Sequence, residues 1–227
     1  HIVVTTNTSF DTVSNRTFIG KYYGSNELLG KMSDVRFYNR TLSADEIASL
    51  YHSSHYAEQS LTDNNILVGH WLLDEGSGHT AYDRSGNGND GGLSSNNIYS
   101  DDWVIGRDGE GYTLDFDGTD DKISIPDNGG ICAGIISTDI FSISAWFNID
   151  TSVSGNWSRC IISTRNGGSQ GFSLFAPNYY TSNKQIELYS RQHSNGITSD
   201  SNALTFNKWH HVVGLYDGSN INMTWST

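Results

Sequence analysis

The stretch that decides the fold begins with Gly69-His70-Trp71-Leu72-Leu73-Asp74-Glu75-Gly76-Ser77-Gly78 and continues with Ala81-Tyr82-Asp83-Arg84-Ser85-Gly86-Asn87-Gly88-Asn89-Asp90-Gly91. A short apolar run that carries a tryptophan passes directly into an acidic loop rich in glycine, serine and asparagine. Glycine reaches positive φ without steric cost, and asparagine and aspartate tolerate the left-handed region. The stretch therefore predicts a β-strand followed by consecutive tight turns, and not a helix.

Composition narrows the class of protein further. The chain has 227 residues, which is enough for one β-sandwich or two small domains. Its formal net charge of -12 argues against nucleic acid and anionic membrane surfaces as partners, because both select for lysine and arginine. The same negative charge is compatible with a bound cation. We expect no membrane insertion, since no apolar run approaches the roughly 20 residues of a membrane span.

The rest of the chain alternates short apolar runs with polar turns. Apolar residues recur at every second position from Phe141 to Ile149, and Trp209 to Tyr216 continues the pattern, which predicts half-buried strands. One segment breaks this pattern, because Ser43 and Glu46 form a capping box at the head of an amphipathic run. Together these patterns predict an all-β, two-sheet antiparallel sandwich with one short helix near Ser43–Tyr51.

The opening stretch resembles the start of the laminin-G-like, concanavalin A-like jelly-roll family, whose pattern is a tryptophan, Asp-Glu-Gly-x-Gly and then Asp-x-Ser-Gly-Asn-Gly-Asn. Three further blocks match that family in its order. They are Leu114–Asp121, Phe141–Phe147 and Trp209–Gly218. Four blocks in sequence make the resemblance specific, and it implies a jelly-roll sandwich.

The first part of the chain resembles the end of such a domain, and not its beginning. Gly30–Arg40 matches the closing pattern Gly-Lys-x-x-Asp-Val-Arg-x-Tyr-Asn-Arg, and Leu42–Ile47 matches the short helix that follows it. We therefore expect a single laminin-G-like sandwich in permuted order. Residues 1–52 would supply the closing strands and helix, residues 53–64 a linker, and residues 65–227 the opening strands. Lys31–Phe37 is expected to pair with Leu67–Leu73.

The acidic loop is also a candidate calcium site. Asp83, Ser85, Asn87 and Asn89 present oxygen atoms at alternate positions, with glycine in sixth place, as in the first half of an EF-hand loop. The second half does not follow, because the twelfth residue is Ser94, so Asp74 is the nearest additional ligand candidate. Plain turn chemistry is the alternative. A second acidic group, Asp115-x-Asp117 with Asp120-Asp121, is expected to be a solvated hairpin end.

No catalytic set is readable in the sequence, and we expect no enzymatic activity. Glycoside hydrolases built on a sandwich need two carboxylates that flank one bond, and the strand motif Glu-x-Asp-x-x-Glu is absent. His210 and His211 cannot share a metal ion, because adjacent strand residues point to opposite faces. His211 is in phase with Trp209 and Val213 and is interpreted as structural.

Aromatic residues in loops, which no core requires, predict a carbohydrate site. Such rings stack on the apolar faces of pyranoses, while polar side chains hydrogen-bond the sugar hydroxyls. The candidates are Trp157, Tyr179, Tyr180, Tyr22 and Tyr23. The tryptophans on predicted strands, Trp71, Trp146, Trp209 and Trp225, are assigned to the core.

The family resemblance implies a non-catalytic extracellular binding module. Its expected partner is a glycan or polysaccharide, with Ca²⁺ as a possible cofactor, and it would be part of a larger multidomain or tandem-repeat protein that is secreted, periplasmic or at the cell surface. One alternative is a structural or adhesive repeat that binds protein partners. A weaker alternative is a glycoside hydrolase with an unrecognised carboxylate pair. A disulfide between Cys132 and Cys160 would suit this location, but the sequence leaves the pairing open.

Overall fold

The computed structural model describes residues 4–7, 16–22, 26–52, 66–94, 102–126, 140–150, 158–164, 171–176, 184–190 and 195–226. The predicted linker, residues 53–64, lies outside this part of the chain. The helix α1 spans Ala44–His52. The strands, in chain order, are β1 (Val4–Asn7), β2 (Arg16–Ile19), β3 (Leu29–Tyr38), β4 (Leu67–Trp71), β5 (Thr80–Ala81), β6 (Gly91–Leu93), β7 (Trp103–Ile105), β8 (Tyr112–Asp117), β9 (Ile123–Pro126), β10 (Phe141–Ile149), β11 (Cys160–Ser163), β12 (Phe172–Phe175), β13 (Glu187–Ser190), β14 (Asn195–Thr198), β15 (Trp209–Tyr216) and β16 (Asn220–Ser226).

The strands form two antiparallel sheets, which confirms the predicted all-β sandwich. The first sheet has the order β1-β16-β15-β10-β3-β8-β7, and β4 also pairs with β3. The second sheet has the order β14-β13-β12-β11-β2-β9-β6-β5. The expected pairing of the two distant segments is present, with Val35 opposite Trp71 and Tyr38 opposite Leu67. Residues 1–52 therefore supply β3, a central strand of the first sheet.

One large core fills the space between the two sheets. Alternate residues of β10 and β15 point into it, and Phe141 of the first sheet stacks on Phe172 of the second with ring centroids 4.7 Å apart. Burial of aromatic and branched side chains from both sheets provides the main stabilisation of a sandwich. Trp71 is fully buried in this core, as predicted. Trp209, also assigned to the core, is only half-buried and is not part of it.

A smaller core lies on the outer face of the first sheet, beneath α1. Ile47 and Leu50 of the helix pack there with Leu67, Val213 and Leu215. The predicted capping box is formed: the Ser43 Oγ accepts from the Glu46 N–H at 3.3 Å, and the Glu46 carboxylate accepts from the Ser43 N–H at 2.8 Å. The helix prediction is confirmed, with the ends one residue later than expected.

A bulge in β3 places charged side chains on that same outer face. Met32 and Val35 both reach the core although they are three residues apart, because β3 carries one more residue than β10 between the paired positions. Asp34 is the additional residue of this bulge, and its backbone φ is 53°. Bulges re-aim side chains in this way. The shift turns Asp34 and Arg36 away from the core.

Candidate functional site

The aromatic residues predicted to bind carbohydrate fall mainly outside the described ranges. Trp157, Tyr179, Tyr180 and Tyr23 lie in the segments that the structure does not describe. Tyr22 is half-buried, and its ring meets Phe175 edge-to-face with centroids 5.2 Å apart. The carbohydrate hypothesis for these five residues therefore stays a prediction.

The predicted calcium loop is organised around the carboxylate of Asp83. Its Oδ1 accepts hydrogen bonds from the backbone N–H groups of His70 and Ser85, both at 2.9 Å. Its Oδ2 accepts from the Ser85 hydroxyl at 2.8 Å and from the Asn89 N–H at 2.9 Å. Four donors around one carboxylate are the turn chemistry that was the alternative to calcium. Calcium at this loop stays a prediction.

The two asparagines of the loop attach it to the free edge of β4. Asn87 Nδ2 donates to the carbonyl of Leu67 at 2.7 Å, and Asn89 Nδ2 donates to the carbonyl of Val68 at 2.7 Å. The indole N–H of Trp71 donates in turn to the carbonyl of Asn89 at 3.0 Å. An edge strand that is covered by side-chain donors cannot recruit another strand there. The loop therefore closes this edge of the first sheet.

Beside this loop lies a group of exposed apolar side chains, which we call the tyrosine patch: Tyr82, Tyr112 and Ile105. Their exposed fractions are 51%, 48% and 72%, and they are the exposed large hydrophobic residues of the described chain. Ile105 and Tyr112 face each other across the β7–β8 pair. Gly76 lies so close to the Tyr112 ring that a side chain at this position would collide with it. The chain at Gly76 therefore packs directly on Tyr112.

Polar groups lie next to the tyrosines of the patch. Glu75 Oε1 accepts from the Tyr82 N–H at 2.9 Å, while Oε2 is buried and has no hydrogen-bond partner among the described residues. Burial raises the pKa of Glu75, and the charge of Asp74 adds to this effect. Arg84, whose side chain is 52% exposed, reaches to 4.0 Å from Asp74. The exposed tyrosines and the Arg84 guanidinium thus lie near the buried carboxylate of Glu75.

A buried ion pair occupies the outer face of the first sheet near α1. Arg36 donates through Nε to Asp34 Oδ1 at 2.6 Å and through Nη2 to Oδ2 at 2.8 Å. His70 Nε2 lies 3.0 Å from the same Oδ1. Burial alone would raise the pKa of Asp34, but Arg36 and His70 outweigh it and hold the pKa well below its usual range. This bidentate, buried pair fixes the bulge of β3.

A serine and a histidine lie next to this ion pair. Ser144 Oγ and His211 Nε2 are 2.8 Å apart, and the His211 ring packs on Trp146. Tyr51 stacks on Trp146 with centroids 5.4 Å apart, and Arg107 lies 3.8 Å from the Trp146 ring centroid, so the indole is covered. Burial lowers the pKa of His211 to about 3. A histidine of such low basicity is a poor general base, which favours its structural interpretation.

The neighbouring His210 points the other way. Its ring stacks on Phe147, on the core side of β10, and its Nε2 interacts with the backbone of Thr205. The two adjacent histidines therefore lie on opposite faces of β15, as expected.

The turn between β8 and β9 carries the second acidic group. Carboxylate oxygens of Asp117, Asp120 and Asp121 lie within 4.8 Å of one another. Asp121 is only 1% exposed, so the expectation of a solvated hairpin end is wrong for this residue. Its Oδ2 accepts from the Asp117 N–H at 2.8 Å, within the same turn.

The cysteine pairing stays open. Cys160 is buried in β11, and burial raises the pKa of its thiol far above the usual range. Cys132 lies outside the described residues.

Comparison with known proteins identifies the architecture. No curated protein matches the chain significantly. No solved structure does so either. Among the described residues, no helix has the length and apolar character that a membrane span requires. Residues 117–224, just under half of the chain, match the family model described as the concanavalin A-like lectin/glucanases superfamily. The two antiparallel sheets agree with a concanavalin A-like jelly-roll sandwich.

Proposed function

We propose that the chain is a non-catalytic, extracellular carbohydrate-binding module and that the tyrosine patch contacts the glycan. The laminin-G-like match indicates a binding module in general terms. The observation that supports the proposal is the exposure of Tyr82 and Tyr112 on either side of the Glu75–Gly76 segment. Rings that no core requires, beside polar groups, are suited to a pyranose.

Glu75 gives the proposed site a specific polar contact. Its Oε2 is buried without a donor among the described residues, and a buried acceptor that lacks a partner is costly. A sugar hydroxyl would donate to this oxygen only after the carboxylate turns outward, because in the unbound structure the atom is closed to solvent. Arg84 and Asp74 at the margin would bind further hydroxyls. The five loop aromatics predicted from the sequence, Trp157, Tyr179, Tyr180, Tyr22 and Tyr23, stay a separate prediction for the same function.

A protein partner is the second candidate, and Ile105 favours it. This residue is 72% exposed and lies on β7, a short strand at the edge of the first sheet. Exposed apolar residues on a sheet edge are suited to contact with another polypeptide. A structural or adhesive repeat would use this edge, whereas a glycan would use the tyrosine rings.

A glycan array, probed with and without Ca²⁺, tests the proposal. We expect the wild type to bind a defined set of glycans and both Y112A and Y82A to weaken this binding by roughly tenfold, as stacking contacts of about 1.5 kcal/mol are lost. Y112F is the matched control, because it keeps the ring and removes only the hydroxyl. If both alanine variants retain full glycan binding, the tyrosine patch is not the glycan site. If the wild type binds no glycan on the array, the proposed function is wrong.

The non-catalytic part of the proposal is tested with the polysaccharides that bind. We expect no new reducing ends after prolonged incubation. Release of sugar that a single Asp or Glu substitution abolishes would contradict this part.

A further inference from the structure

The Asp83 loop carries an exposed Asn-Gly pair, Asn87-Gly88. In such a pair the backbone nitrogen of the glycine can attack the side-chain amide of the asparagine, because no side chain on the glycine blocks the approach. Gly88 has a positive φ of 75°, and a Cβ placed on it would meet nothing within 4 Å. Its backbone N–H has no hydrogen-bond partner among the described residues. The attacking nitrogen is therefore open.

The side-chain amide of Asn87 is the group that this attack would remove. Its Nδ2 donates to the carbonyls of Leu67 and Val68 at 2.7 and 3.2 Å, and it lies 3.0 Å from the Ser85 hydroxyl oxygen. These contacts hold the loop against the edge of β4. An ionised carboxylate in the same place has no hydrogen to donate. Its oxygens would face the two carbonyl oxygens, and the charge of Asp83, which is bonded to Ser85, would add to the repulsion.

The chain has three other Asn-Gly pairs, and the one that the structure describes is in a different setting. Asn195-Gly196 belongs to β14, where the two residues lie opposite Ser190 and Tyr189. Ring closure between neighbouring residues forces the backbone out of the extended conformation, which this pairing opposes. A Cβ on Gly196 would also meet the backbone oxygen of Leu188 at 3.1 Å. The pairs that begin at residues 128 and 166 lie outside the described ranges.

We propose that Asn87 deamidates in the folded protein and that the reaction releases the loop from β4. The Gly88 nitrogen loses its proton to water and attacks Cγ of Asn87. A new N–Cγ bond forms, the Cγ–Nδ2 bond breaks, and Nδ2 leaves with an added proton as ammonia. Water then opens the cyclic imide at either carbonyl and yields aspartate or isoaspartate. The net reaction consumes one water and releases one ammonia, with no oxidation and no cofactor.

The consequence lies at the edge of the first sheet. The Leu67 carbonyl loses the Nδ2 donor, whereas the Val68 carbonyl keeps the bond from Asn89 at 2.7 Å. We therefore expect the edge of β4 to loosen at Leu67, which opens it to pairing with another strand. Neither the reaction nor the release requires a bound glycan.

Timed incubation of the folded protein, followed by peptide mapping, tests the first step. We expect Asn87 to convert progressively to aspartate and isoaspartate, while Asn195 in the same sample stays unchanged. The rate should rise with pH, because the attacking nitrogen must lose a proton. N87Q is the matched variant that blocks the reaction, since glutamine would have to close a larger ring, which forms far more slowly.

The N87D variant, which carries the product, tests the second step. We expect it to melt at least about 4 °C below the wild type, since hydrogen bonds that secure the loop are lost. The backbone amides of β4 should also exchange hydrogen faster. N202D makes the same chemical change in an exposed turn, so we expect its melting temperature to lie within about 2 °C of the wild type.

Two results would overturn the proposal. One is an Asn87 that stays intact in the folded protein while a peptide of residues 84–90 deamidates completely under the same conditions. The other is an N87D variant as stable as N202D, which would show that the amide does not hold β4. If N87D fails to fold, the aged wild type, separated from the fresh protein by ion exchange, provides the same melting measurement.

Discussion

His211 shows how burial sets the chemistry of a single residue. The side chain lies between Ser144 and Trp146 and is 2% exposed. Burial lowers its pKa from 6.5 to about 3, Asp34 opposes this change, and Arg36 and Arg107 reinforce it. The imidazole is consequently neutral near pH 7. It serves as a hydrogen-bonding member of the packed outer face and not as a proton carrier.

This environment predicts a pH dependence of stability. Because the folded pKa lies below the unfolded value of 6.5, the neutral ring stabilises the fold fully above pH 6.5. That contribution is lost progressively as the pH falls toward the folded pKa of about 3. We expect the urea-unfolding free energy to fall less steeply in H211Q than in the wild type between these limits. H79Q, at an exposed position, is the control. Equal slopes for H211Q and wild type would contradict the prediction.

The Asp83 loop holds the strand β4 in place through hydrogen bonds. The carboxylate gathers donors from β4 and from its own loop, and Asn87 and Asn89 cover the carbonyls of the strand. We expect D83A to lower the free energy of unfolding by roughly 2–4 kcal/mol, since several hydrogen bonds to a charged group are lost together. Urea denaturation measures this loss.

D217A provides the comparison for D83A. Asp217 also accepts several hydrogen bonds, but all come from its own exposed turn, so we expect a loss of about 1 kcal/mol or less. A D83A variant no less stable than D217A would show that the loop does not hold β4.

Elements that depend on local pattern were predictable from the sequence. Ser43 and Glu46 fix the start of α1 through bonds three residues apart, and alternation identifies β10 and β15. The bulge in β3 was not predicted, although the apolar residues Met32 and Val35, three positions apart in one predicted strand, depart from the two-residue period. That odd spacing is the signal that would have revealed it.

The candidate site was less predictable, because its residues come from segments that meet only in the folded chain. Tyr112 begins a strand and Tyr82 follows a buried alanine, and neither position distinguishes an exposed ring from a packed one in sequence. The Glu75–Gly76 segment connects them, because Glu75 accepts from the Tyr82 N–H and Gly76 packs on the Tyr112 ring. The acidic run that contains Asp121 likewise gave no sign that this side chain is buried.

At the scale of the whole molecule, the order of the strands joins distant parts of the chain. β3 lies between β10 and β8 and also pairs with β4, so residues 1–52 complete the sheet formed by later segments. We propose that each chain closes its own sandwich in this permuted order. The alternative is a swapped dimer in which β3 completes the sheet of a second copy.

Light scattering after size exclusion distinguishes the closed monomer from the swapped dimer. We expect the mass of one chain over about a hundredfold range of protein concentration, because an assembly held by mass action would dissociate on dilution. A dimer whose share rises with concentration would contradict the closed monomer.

The location of the glycan site is tested most directly by NMR. An oligosaccharide that binds in the array would be titrated into the labelled protein while backbone amide shifts are recorded. We expect the largest changes in residues 74–84 and 103–113, the two segments that form the tyrosine patch. Changes concentrated elsewhere, with residues 74–84 and 103–113 unaffected at saturation, would contradict it.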